Sequence, residues 1–81
     1  MNRDDAITVL QGRLRHYPAD RYPVQHATAR FHLGQVLLDR GTAAAAEVEL
    51  RTAAGLFDPR RLPVEHAKAT NLLGAALRAL G

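Results

Sequence analysis

The side chains of this 81-residue sequence with most chemistry open to them are four histidines, eight carboxylates and a single lysine. The histidines are His16, His26, His32 and His66. An imidazole cluster suits zinc, but His26 and His32 stand six residues apart, a spacing that separates them on a helix. The carboxylates fall at Asp4, Asp5, Asp20, Asp39, Glu47, Glu49, Asp58 and Glu65, and no pair is spaced to converge on a pocket as an acid and a base must. Serine and cysteine are absent, which removes the commonest nucleophiles, any thiolate metal site and any disulfide frame. Gly12, Gly34 and Gly55 are isolated, so no glycine-rich loop is available to cradle a phosphate. We therefore assign no catalytic residue, no metal ligand and no cofactor, and expect a protein that is not an enzyme.

Binding rather than turnover is the chemistry left, and it depends on the elements that present the side chains. Fifteen alanines and twelve leucines, with few β-branched or aromatic residues, favour helix. Prolines and glycines cut the chain into four such segments. A first helix over about 4–16, capped by Asp4 or Asp5, lines Ala6, Ile7, Leu10 and Leu14 on one face. Pro23 suits the first position of a second helix, about 23–40, and Gly41 suits its end. Thr42 is positioned to cap a third helix, about 43–57, with Ala46, Leu50, Ala53, Ala54 and Phe57 on its apolar side. Pro63 opens a fourth, about 63–80. No segment alternates with the period of a strand, so the expectation is one all-α domain of four helices spanning 1–81.

The halves of the chain echo one another. Shifting by 40 residues aligns 22–41 with 62–81, and nine of the 20 positions are identical, among them Pro23/Pro63, His26/His66, Leu33/Leu73, Gly34/Gly74 and Gly41/Gly81. Upstream, Ala6/Ala46, Leu10/Leu50 and Tyr17/Phe57 correspond as well. A self-similarity of this length built from two helices is the mark of a helical repeat. Gly34 and Gly74 would then lie where paired helices approach most closely, and His26 and His66 would pack against Tyr17 and Phe57, one repeat apart and too distant to share an ion.

These residues resemble the tetratricopeptide repeat family. With Ala27 as first position, Leu33-Gly34, Ala46, Leu50 and Ala53 occupy the family's characteristic sites, and Leu73-Gly74 repeats the pair. The chain departs from the family in its period of 40 rather than about 34, and in Arg30/Thr70 and Leu37/Leu77 where bulkier or aromatic residues are usual. It looks like a long bacterial variant. The resemblance implies antiparallel helix pairs whose first helices line a groove for an extended peptide. Its contact sites map to Thr28, Phe31, Gln35 and Asp39 in one unit and to Lys68, Asn71, Ala75 and Arg78 in the next. Gln35 and Asn71 offer amide donors and acceptors to a peptide backbone, and Lys68 and Arg78 offer charge to a carboxylate.

Two units fall below the usual three for a stable stack. Leu72, Leu73, Ala76, Leu77 and Leu80 on the fourth helix have no following helix to cover them, so self-association as a homodimer, with or without helix exchange, is expected. The leading expectation is a protein–protein interaction module; the alternative is a purely structural self-assembling unit. A third is weak nucleic-acid binding through Arg13, Arg15, Arg21, Arg60 and Arg61, disfavoured by a net charge of only +3 and by Asp20 and Asp58 among the arginines. No apolar run approaches the length of a membrane span, and Met1–Asp5 is too polar to begin a signal peptide, so a cytoplasmic protein without membrane contact is expected.

Overall fold

A computed structural model describes residues 2–81; Met1, the first residue of the Met1–Asp5 stretch, lies outside them. Among the described residues there are four α-helices and no strand: α1 Arg3–His16, α2 Pro23–Arg40, α3 Ala43–Leu56 and α4 Pro63–Leu80. The helices fill a slab of 30 × 26 × 17 Å in which each packs on its chain neighbours, with α2 also touching α4 lightly. Each of α2 and α4 begins on its proline, whose missing N–H has no partner to lose there. Gly41 and Gly81 end these helices at φ +92° and +96°, a left-handed backbone open to glycine at little cost.

Two caps differ from expectation. Asn2, not Asp4 or Asp5, caps α1: its Oδ1 accepts from the Asp5 backbone N–H at 2.9 Å, and both aspartates sit in the first turn. Thr42 stands at the start of α3, but its hydroxyl turns back and donates to the Leu37 carbonyl at 2.8 Å. It thereby satisfies the end of α2 rather than the start of α3. α3 itself stops at Leu56, and Phe57 is extended.

The core is built mostly from small residues. Ala27, Ala53, Phe57 and Ala69 form one buried cluster and Ala46, Leu50 and Ala76 another, with Phe31 packed against both. Small side chains let the helix axes come close. At Gly34 the approach is closest, because a Cβ there would lie 2.5 Å from Leu50 Cγ. Gly74 does not share this role: a Cβ would meet only the guanidinium of its own helix's Arg78, at 3.4 Å. Among the described residues, no helix covers the Gly74 side of α4 as α3 covers the Gly34 side of α2.

Polar ties link successive helices. The connectors fold alike, Pro18 O accepting from Arg21 and Tyr22 N–H as Asp58 O accepts from Arg61 and Leu62. His26 and His66 contact the residues expected, but through the backbone rather than ring on ring. A carbonyl only accepts, so Nδ1–H of His26 donates to Tyr17 O at 2.9 Å, and Nδ1–H of His66 is shared between Phe57 O and Ala54 O, each at 2.9 Å. That tautomer leaves His26 Nε2 as an acceptor, and it takes a hydrogen bond from Arg30 Nε at 3.1 Å. Arg30 in turn pairs with Glu49 at 2.7 Å. The chain of bonds runs from the end of α1 through α2 to α3.

Candidate peptide groove

Because α2 and α4 both pack on α3, their outer sides face the two walls of a shallow furrow. Its middle is lined by Phe31, Gln35, Lys68, Asn71 and Leu72. A second depression adjoins it, lined by Thr28, Phe31, His32, Phe57, Glu65 and Lys68. The two share Phe31 and Lys68, so they form one continuous track along the helix pair. Both are open to solvent, with apolar surface in the floor and polar groups along the rims.

Five of the eight contact positions taken from the sequence, Thr28, Phe31, Gln35, Lys68 and Asn71, line this furrow; Asp39, Ala75 and Arg78 do not. Phe31 is half-buried and serves two ends at once, its ring packing on both core clusters while still reaching the groove floor. Gln35, Lys68 and Asn71 are exposed, and none of their side chains makes an intramolecular hydrogen bond or ion pair among the described residues. The Thr28 hydroxyl donates to Val24 O at 2.8 Å, which leaves its lone pairs free to accept.

Arg78 is not part of this surface. Helical side chains lean toward the helix start, and its guanidinium lies back over Gly74 instead. His32 and Glu65 line the furrow although the sequence reading passed over them. The signal for Glu65 was present, since it precedes Lys68 by three residues and so shares its face. An acid and a base thus stand one turn apart on the same wall.

The residues expected to self-associate divide into two groups. Ala76 is fully buried beneath α3 and is core, and Leu72 and Leu73 are partly buried against the same cluster. These three therefore turn inward, because α3 occupies the side of α4 that the leucine spacing left unassigned. Leu77 and Leu80 remain exposed, at 44% and 48%. Arg13, Arg15, Arg21, Arg60 and Arg61 are all exposed around the connectors, interspersed with exposed Asp20 and Asp58.

Among the described residues, no three histidines or carboxylates come together to hold a metal ion. None of the helices is long and apolar enough to cross a membrane. No family model matches the chain, and no curated protein or solved structure matches it. The likeness to tetratricopeptide repeats thus stands on the residues quoted above.

Proposed function

We propose that this chain is a non-catalytic protein–protein interaction module of tetratricopeptide-like build, which holds an extended peptide segment in the furrow between α2 and α4. One observation carries the reading: the furrow joins an apolar floor at Phe31 and Leu72 to three polar side chains, Gln35, Lys68 and Asn71, that have no partner within the described fold. An extended backbone leaves half its amide groups pointing sideways, and the two amide side chains can both donate to and accept from it. Lys68 suits a carboxylate, either an acidic side chain or a chain terminus. Exposed Leu77 and Leu80 favour a second reading, in which the chain assembles with itself.

Selection of a displayed random-peptide library against the purified chain tests the groove, followed by calorimetry on the enriched peptides. Peptides bearing a carboxylate should dominate. The double variant Lys68→Ala/Asn71→Ala should bind them about tenfold or more weakly, as loss of a charged hydrogen bond worth about 1.5–3 kcal/mol requires. Equal affinity for wild type and variant would remove the groove from consideration.

A further inference from the structure

The 40-residue correspondence makes α4 the counterpart of α2 and α1 the counterpart of α3. Within the chain, α3 covers the face of α2 that carries Ala27, Arg30, Gly34 and Leu38. The same face of α4 carries Ala67, Thr70, Gly74 and Arg78 and is uncovered: Ala27 is fully buried, whereas Ala67 is exposed. We propose that this face docks α1 of a second copy of the chain, seated as α3 is seated on α2.

Paired positions support α1 as the occupant. Where α1 meets α2, Asp4 and Arg40 form an ion pair at 3.1 Å; forty residues on, α3 and α4 place Ala44 and Leu80 beside the same depression. Contacting positions have therefore changed together within this chain, from a charged pair to an uncharged one. The joint between α2 and α3 holds the Arg30–Glu49 pair, and its counterparts are Thr70 on α4 and Val9 on α1. Both members again lose their charge together. Val9 is 44% exposed in the single chain and would be covered by Thr70 of the neighbour. Leu38 packs against Ala46 and Leu50; its counterpart Arg78 would lie alongside the first turn of α1, which holds Asp4 and Asp5 where α3 has alanines. Leu10, which α2 already buries to 7% exposure, would close over Gly74 as Leu50, itself packed on Ala76 of α4, closes over Gly34.

One position opposes the fit. Arg13 stands where α3 has Ala53, which is fully buried, so its side chain must swing out of the joint. Contact of one copy's α4 with the next copy's α1 is heterologous, and it extends head to tail instead of closing on a two-fold axis. The proposal does not depend on a ligand in the groove.

Sedimentation equilibrium from low to several hundred micromolar should show a mass that keeps rising past the dimer. Gly74→Leu fills the slot on α4, and Val9→Lys puts a charge on the outer face of α1. Within the chain the leucine displaces only the mobile end of Arg78, and Val9 is already 44% exposed, so each variant should fold and each alone should give monomers. Mixed one to one, the two variants should form a dimer and stop there, because each retains the surface that the other has lost. Arg13→Ala should tighten wild-type association about tenfold by restoring the alanine of the internal joint. A wild-type monomer throughout the range would overturn the proposal. So would a dimer that stops growing, a mixture that stays monomeric while circular dichroism shows both variants folded, or weaker association on Arg13→Ala.

Discussion

Gly34 and Gly74 occupy matching places in the sequence, yet alanine should act on them with opposite sign. In the interior of a helix, Gly→Ala gains about 1 kcal/mol of helix propensity. At Gly74 little opposes that gain, since the new methyl group meets only the mobile end of Arg78 at 3.4 Å. Gly74→Ala should stabilise the fold by about 0.5–1 kcal/mol. At Gly34 the methyl group would stand 2.5 Å from Leu50 Cγ and 2.7 Å from Cδ2, well inside van der Waals contact. Leu50 is fully buried between α2 and α4, with Ala46, Ala76 and the half-buried side chains of both helices packed around it. Overpacking of this kind costs about 1–3 kcal/mol, and a clash at the root of the side chain belongs at the upper end. The net expectation for Gly34→Ala is a loss of about 1–2 kcal/mol, or roughly 5–15 °C in Tm for a domain of this size. Urea unfolding followed by circular dichroism, at a concentration where the chain sediments as a monomer, measures both effects. In a Leu50→Ala background the clash partner is gone, and Gly34→Ala should become neutral or stabilising. Equal shifts at the two glycines, or no rescue by Leu50→Ala, would refute the close approach of α2 and α3.

The polar ties and the turns give four further outcomes. His26→Ala should cost about 2–3 kcal/mol in urea unfolding, because it leaves the Tyr17 carbonyl and the Arg30 Nε–H without their partner. A double-mutant cycle on Arg30 and Glu49, whose side chains are only 29% and 16% exposed, should return a coupling of about 1–2 kcal/mol. The same cycle on Arg51 and Glu47, a more open pair at 3.4 Å, should return about 0.3–0.5 kcal/mol. Gly41→Ala should lower stability by about 1 kcal/mol through its backbone alone, since φ is +92° and nothing lies within 4 Å of the added carbon.

The four helices were legible because their ends are set by local backbone chemistry. Pro23 and Pro63 can only begin a helix, and Gly41 ends one at a φ that other residues resist. Choices made by side chains in space were not legible. Asn2, Asp4 and Asp5 are all good capping residues, and the sequence does not rank them. Thr42 lies between two helix ends, either of which its hydroxyl could serve, and it serves Leu37. On α4 the leucines cover more than one stripe, so spacing alone could not tell that Ala76, Leu72 and Leu73 face α3 while Leu77 and Leu80 face out. That Thr28, Phe31, Gln35, Lys68 and Asn71 would share one furrow was legible because α2 and α4 begin at matching residues and thus present matching faces. Arg78 was misplaced because its long side chain, leaning toward the helix start, travels away from the face its Cα suggests.

A core in which alanine predominates poses a problem of register that the polar ties address. Small side chains interlock weakly, so sliding one helix along another would lose little apolar contact. Each joint in this chain carries a different polar link. Asp4–Arg40 and His26 to Tyr17 O join α1 to α2, Arg30–Glu49 joins α2 to α3, and His66 to Phe57 O and Ala54 O joins α3 to α4. A slide by one turn would strand a buried or half-buried group at each joint, His26, Arg30 with Glu49, or His66, at a cost of about 1–3 kcal/mol per group. The links therefore do little for net stability beyond their own desolvation, but they make the wrong registers expensive. That asymmetry yields a sharp expectation. Replacing Arg30 and Glu49 together with leucine and alanine should lower the unfolding free energy by only about 1 kcal/mol, because the two charges leave together and His26 Nε2 alone loses its donor. Amide exchange on α2 and α3 should nevertheless speed up, as sliding of the two helices becomes easier. Unchanged exchange at unchanged stability would mean that Gly34 and Leu50 alone hold the register.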